Sequence, residues 1–227
     1  MPKILTLNQN FFKKWSREMA YVLGFFTADG CMTINPRGSH FIEFSSNDCD
    51  VLEKIKIAMG SGHKIGCRKY NSKRLQDSYR LQIGSKEIFN DLESLGFTVN
   101  KSKIVKFPRV PSKYFADFLR GYFDGDGCVS FGAYYYKDRK NKKYHIITRF
   151  TCANKSFLID LSNQIKKLVR TEGNSIFLGN GAYDLSYSVN DSLKILKFIY
   201  NKPSIYLDRK FKSCKMAIEG YNQFMDR

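Results

Sequence analysis

Apolar positions along the chain switch between two periods, 3.6 and 2, and the order of the switching predicts the elements. Residues from about 16 to 29 are apolar on nearly every side and read as a buried helix, as do residues from about 112 to 126. Each is followed by two runs that alternate as half-buried strands do: CMTIN with HFIEFS, then CVSFG with HIITRFT. Val51, Leu52, Ile55 and Met59 recur at helical spacing, and Phe157, Leu158, Leu161, Ile165 and Leu168 do so later. Tyr79, Leu81 and Ile83 alternate in a further strand, as do Leu185, Tyr187 and Val189, and a helical segment closes each set. The predicted order is α-β-β-α-β-β-α, twice.

The two halves are copies. YVLGFFTADGCMTI (from Tyr21) and FLRGYFDGDGCVSF (from Phe118) align in register, and two later blocks recur in the same order. FPRVPSK, with two prolines that stop helix and strand alike, separates them. The expected layout is a first domain over 1–106, a linker over 107–113 and a second domain over 114–227, an α+β tandem repeat with two antiparallel sheets.

Charge adds a partner. The 227 residues carry 38 Lys and Arg against 21 Asp and Glu, a net +17. The excess is shared: 19 basic against 10 acidic residues precede Tyr114, and 19 against 11 follow. Two equally basic halves fit one long polyanion, nucleic acid first. No basic amphipathic helix or lipidation signal supports a membrane surface. Apolar stretches such as Tyr21–Phe26 fall far short of the ~20 residues of a spanning helix. The opening residues lack the pattern of a secretory signal, so the six cysteines (31, 49, 67, 128, 152 and 214) are expected to be reduced and mostly buried. Their wide spacing gives no zinc motif, and no GxSxG marks a serine hydrolase.

Candidate chemistry lies where the two apolar helices end. Gly24 with Ala28, and Gly121 with Gly125, put small residues four apart on one helix face. Glycine inside a helix costs roughly 1 kcal/mol against alanine, so a close approach of the two backbones is expected there. Each helix then ends in Asp-Gly, at Asp29 and Asp126. A carboxylate at the negative end of a helix dipole is unfavourable, and two together repel. A hard divalent cation, Mg²⁺, removes both penalties, and carboxylate-held metal beside a basic surface suits phosphodiester hydrolysis.

VLGFFTADG (22–30) and LRGYFDGDG (119–127) resemble the two motifs of single-chain LAGLIDADG homing endonucleases, and the duplicated grammar covers nearly all of the chain. The resemblance implies motif helices at the inter-domain interface and two sheets forming a saddle in the DNA major groove. It implies a monomer that cuts a long double-stranded target, leaving short 3′ overhangs. Asp29 and Asp126 then ligate metal, with the backbone at Ala28 and Gly125; Mn²⁺ substitutes for Mg²⁺, and Ca²⁺ supports binding without cutting. A basic residue near each scissile phosphate is also implied: Lys101 and Lys210, with Lys103 and Arg209 as neighbours able to take either place. Thr27 stands at the motif position where the second copy has Asp124, a departure that leaves the acids intact. The scaffold also admits an RNA maturase acting on a host intron, or a binding module that does not cut. An organelle or a microbial cytoplasm would suit either.

Strand alternation assigns the DNA-facing side chains. With Met32, Ile34, Ile42, Phe44, Leu81 and Ile83 as core, Thr33, Asn35, Arg37, His40, Glu43, Arg80 and Gln82 are expected to face outward, joined by Arg68 and Tyr70. In the second copy Ser130, Tyr134, His145, Arg149, Asp184 and Ser186 are the outward set. The stretch YYYKDRKNKKYH (134–145) predicts a basic hairpin tip, in which Tyr136, Lys137, Arg139 and Lys140 grip backbone.

Overall fold

The computed structural model describes residues 5–70, 76–99, 106–135 and 142–226. The order is α1 (Arg17–Asp29), β1 (Gly30–Ile34), β2 (His40–Ser46), α2 (Cys49–Ala58), β3 (Ile65–Arg68), β4 (Ser78–Gly84) and α3 (Lys86–Ser94). A 3₁₀ turn over Ser112–Tyr114 leads into α4 (Phe115–Asp126). Then follow β5 (Gly127–Tyr135), β6 (Lys142–Cys152), α5 (Lys155–Val169), β7 (Ser175–Leu178), β8 (Tyr183–Tyr187), α6 (Val189–Ile199) and α7 (Asp208–Met225). The expected repeat is present: two four-stranded antiparallel sheets with the orders β1-β2-β4-β3 and β5-β6-β8-β7. Helix α7 follows the second copy and goes beyond the predicted order. No helix among the described residues is long and apolar enough to cross a membrane.

Local chemistry sets the boundaries. Ser16 caps α1 by accepting the Met19 N–H at 3.0 Å, and Gly30 leaves the helix in an extended conformation that starts β1. Ser85 caps α3 through the Ile88 N–H at 3.2 Å. In the β1–β2 turn, Asn35 Oδ1 accepts the N–H groups of Arg37 and Ser39, while Gly38 takes a positive φ of 79°. One face of each sheet is packed under helices. Met32, Ile42, Phe44, Leu81 and Ile83 are buried in the first; Ile146, Phe150, Leu185 and Tyr187 in the second. Ile34 shares the parity of Met32 yet is 49% exposed, because it stands at the hairpin end of an edge strand. The cysteines also depart from expectation. Only Cys152 and Cys214 are buried, whereas Cys31 and Cys128 follow Gly30 and Gly127 onto the open faces of their sheets, and Cys67 is exposed on the edge strand β3.

The chain packs as two compact units: Met1–Gly125 with Ser204–Leu207, and Asp126–Pro203 with Asp208–Arg227. The packing boundary therefore differs from the repeat boundary, since nearly all of α4 lies in the first unit. The glycines explain this. A Cβ on Gly24 would strike the Phe118 carbonyl oxygen, one on Gly121 the Tyr21 carbonyl oxygen, and one on Gly125 the Ala28 Cβ. Helices α1 and α4 meet backbone to backbone. A strap, residues 204–207, completes this unit. Arg120 Nε donates to the Ile205 carbonyl at 2.7 Å, Leu207 N–H donates to Asp124 at 2.8 Å, and Lys54 Nζ donates to the Tyr206 carbonyl at 2.8 Å. Arg120, 1% exposed, is also paired with Asp117, which Arg17 approaches at 3.3 Å.

Candidate catalytic acids and nucleic-acid interface

Asp29 is the last residue of α1 and Asp126 the last of α4, and the glycine after each opens the first strand of a sheet. Both acids thus stand where helix carbonyls concentrate negative potential. The space beside Asp29 is kept open by Gly125, whose missing Cβ would lie 3.1 Å from Asp29 Oδ2. No cluster of three His, Cys, Asp or Glu side chains converges among the described residues. A cation here would draw on carboxylate oxygens at the helix ends, with oxygens of backbone, water and substrate. That donor set is all hard oxygen and fits Mg²⁺.

The sixth motif position is used differently in the two helices. Thr27, buried, donates its hydroxyl to the Leu23 carbonyl at 2.7 Å. Asp124 accepts from the Tyr21 hydroxyl at 2.7 Å and from the strap. Burial, and then the adjacent Asp124 charge, push the Tyr21 phenol well above its ordinary pKa, so it stays a donor. In the second unit Lys210, 9% exposed, projects from α7 and donates to the Gly127 carbonyl at 2.6 Å, one residue after Asp126. Lys101 and Lys103 lie outside the described residues.

The open faces carry most of the outward set. On the first, Thr33, Glu43, Arg68, Arg80 and Gln82 share the parity opposite to the buried strand residues. Around them a cavity of about 410 Å³ is lined by Glu43, Ser45, Arg68, Tyr70 and Arg80, with the Arg68 guanidinium 5.0 Å from the Tyr70 ring centre. Two calls change. His40 has the parity of Ile42 and Phe44, and its ring meets Phe89 of α3 edge-on at 4.7 Å, so it packs on the helix side. Asn35 spends its side-chain carbonyl on the turn, which also holds Arg37 at the exposed tip. On the second sheet Ser130, Tyr134, His145, Arg149, Asp184 and Ser186 all lie on the open face, with Tyr134 and His145 rings 5.7 Å apart. Tyr136, Lys137, Arg139 and Lys140 lie outside the described residues.

Register matching reveals one relationship that alternation alone did not. Gly30 faces Phe44 as Gly127 faces Phe150, so Glu43 and Arg149 occupy equivalent places, opposite Cys31 and Cys128. Arg80 faces Ser45 as Asp184 faces Thr151. Each sheet therefore holds one diagonal acid–base pair at the same place, with the signs exchanged. Glu43 and Arg80 are 3.5 Å apart, Arg149 and Asp184 4.0 Å.

Comparison with known proteins agrees with this architecture. Residues 16–95 match the LAGLIDADG-like domain, and residues 119–216 match the LAGLIDADG endonuclease domain. A DNA-directed RNA polymerase subunit of Methanocaldococcus jannaschii is 29% identical over 119 residues; the match covers 52% of this chain and 13% of that protein. The LAGLIDADG meganuclease I-CpaMI, solved on uncleaved DNA, superposes with a TM-score of 0.63 at 12% identity, covering 94% of this chain and 93% of the other. I-SmaMI, solved on uncleaved DNA in the presence of calcium ions, gives 0.60 at 14%, covering 92% and 93%. At these identities the superpositions establish the fold.

Proposed function

Since the chain belongs to the LAGLIDADG family, we propose that it is a site-specific endonuclease that makes a double-strand break in DNA by divalent-metal-dependent hydrolysis. The observation that carries the reading is the placement of Asp29 and Asp126. Each ends a glycine-bearing motif helix and leads directly into a sheet whose open face presents Arg, Gln, Ser and Tyr. Those side chains suit base edges and phosphates in a major groove. The net +17, spread over both halves, supplies sequence-independent attraction to the backbone.

In this reading Asp29 and Asp126 hold Mg²⁺, with the backbone at Ala28 and Gly125 as further oxygen donors. The ion, when bound, lowers the pKa of a water and stabilises the leaving 3′ oxygen. Lys210 is fixed by its bond to the Gly127 carbonyl and lends positive charge beside one phosphate; Lys101 is assigned the equivalent duty in the first copy. Repeat copies over 1–106 and 114–227 then act on one half-site each, within a monomer, leaving short 3′ overhangs. The solved relative I-SmaMI was caught uncleaved with calcium present, which supports Ca²⁺ as a binding but not a cutting ion here.

The test is incubation of the purified chain with a randomised DNA library and Mg²⁺, followed by sequencing of cut ends. A defined long site with staggered ends on both strands is expected. Recovery of no cut DNA, or of cuts without sequence preference, would remove the assignment.

A further inference from the structure

We infer that the exchanged acid–base pairs on the two sheets read a G·C base pair at the equivalent position of each half-site, in opposite orientations; this rests on the double-stranded-DNA reading above. Three observations carry it.

The first is equivalence. Glu43 on β2 and Arg149 on β6 match by register, as do Arg80 on β4 and Asp184 on β8. All four lie on open faces, so in the proposed reading, with one half-site per copy, each pair meets the equivalent step of its own half-site.

The second is looseness. A pair that existed to close on itself would make short, parallel hydrogen bonds. Here the gaps are 3.5 and 4.0 Å, and Arg149 Nε, itself shielded from solvent, makes no hydrogen bond. The carboxylates are the better-held partners. Thr151 donates to Asp184 at 2.6 Å, while Gln82 and Ser45 approach Glu43 at 3.4 and 3.5 Å. Each acid is positioned by its neighbours, and each guanidinium keeps donors to spend.

The third is chemical. A guanidinium donates to O6 and N7 of guanine, and a carboxylate accepts from N4 of cytosine. Guanine and cytosine stand side by side in one base pair, so an adjacent Arg and Asp or Glu satisfy both edges together. Reversing the pair reverses which strand carries the guanine. In the first half-site Arg80 places guanine on the β4 side; in the second Arg149 places it on the β6 side. Were the residues the same in both copies, the repeat would demand a palindrome at this step. The exchange forbids it.

The experiment selects bound sites from a randomised DNA library with the full chain in Ca²⁺, then repeats the selection with the double exchange Glu43→Arg/Arg80→Asp. The wild type is expected to enrich one G·C pair per half-site at equivalent distance from the centre, guanine on opposite strands when both are read outward. The exchange is expected to move guanine to the other strand in the first half-site alone, changing preference there by roughly ten- to hundredfold. Unchanged preference at every position in a variant that still binds would overturn the inference while leaving the DNA reading intact. A wild type that enriches no sequence would overturn both. Should the exchange variant bind nothing, Arg149→Gln decides: relaxed preference at one position of the second half-site supports the inference, and an unaltered profile overturns it.

Discussion

The carbonyl oxygen of Phe118 occupies the space where a side chain on Gly24 would begin. The relation is reciprocal, because Gly121 meets the carbonyl of Tyr21, the residue that matches Phe118 in the other copy. Backbone oxygens cannot swing aside as side-chain ends do, so any Cβ must force the helices apart. Gly24→Ala and Gly121→Leu are each expected to destabilise the protein, with overpacking of this sort costing about 1–3 kcal/mol. Because the acids ride on these helices, cutting is expected to fall as well, by on the order of a hundredfold for a 1 Å displacement. Chemical denaturation and a cleavage assay on the same preparation check both.

Asp29→Asn and Asp126→Asn remove the charge that the proposed function assigns to metal binding, without altering size. Each is expected to lower double-strand cleavage by about a thousandfold, the scale of several kcal/mol of transition-state stabilisation. Affinity for the site and melting temperature should hold, since the proposed function places binding on the sheets. A cleaving Asp29→Asn protein would move the chemistry elsewhere.

Binding should weaken steeply with salt. Each phosphate neutralised contributes a slope of about −0.9 to log K against log salt for duplex DNA. Titrations at several ionic strengths, with the selected site and an unrelated sequence, should both show the dependence. A flat response would detach the +17 charge from nucleic acid.

Arg120 is buried with Asp117 and holds the strap through the Ile205 carbonyl. Arg120→Ala takes from the Asp117 carboxylate its buried partner, leaving it only the half-exposed Arg17 pairing, and removes a donor from the Ile205 carbonyl. The expected loss is about 3–5 kcal/mol, the range for breaking one side of a buried ion pair. Equilibrium unfolding measures it directly.

Alkaline stability has an identifiable source. Burial pushes the Tyr187 phenol up to about 12, from an ordinary value of 10.0. Below pH 10 folded and unfolded chains both keep this proton. Between 10 and 12 the unfolded chain releases it while the folded chain does not, so stability falls with rising pH. Two units correspond to roughly 2–3 kcal/mol, complete above pH 12. In Tyr187→Phe this part of the alkaline loss should vanish, leaving the shares of the other raised phenols, Tyr21, Tyr79 and Tyr144. Denaturation midpoints at pH 9, 10 and 11 separate the two proteins.

Most of the repeat was legible because local and global signals agree. Apolar helices ending in Asp-Gly and alternating strands point to the same architecture, and the structure has it. What escaped depends on long-range partners. His40 carries the parity of its buried neighbours, a signal available in the sequence, but its type suggested a polar surface rather than the Phe89 ring it packs on. Helix α7 also left a trace, with Phe211, Cys214, Ala217, Tyr221 and Phe224 at helical intervals, diluted by charge on its other faces. The strap left none: Ser204–Leu207 has no periodicity of its own, and Arg120, Asp124 and Lys54, far back in the chain, show why it sits where it does. The exchanged ion pairs needed strand register, which alternation does not fix between strands.

That strap also imposes an order on biosynthesis. Arg120 and its acceptor at Ile205 are 85 residues apart, and a ribosome adding ~5–20 residues per second takes roughly 4–17 s to cover that distance. Throughout that interval Arg120 and Asp124 of the nascent first unit can meet Asp117 and Tyr21, while the strap groups that complete their bonding have not been made. The second sheet, whose strands all precede the strap, has time to fold in the meantime. The first unit is begun first but completed only after every strand of the second sheet has been made, with α7 of the second unit still to follow.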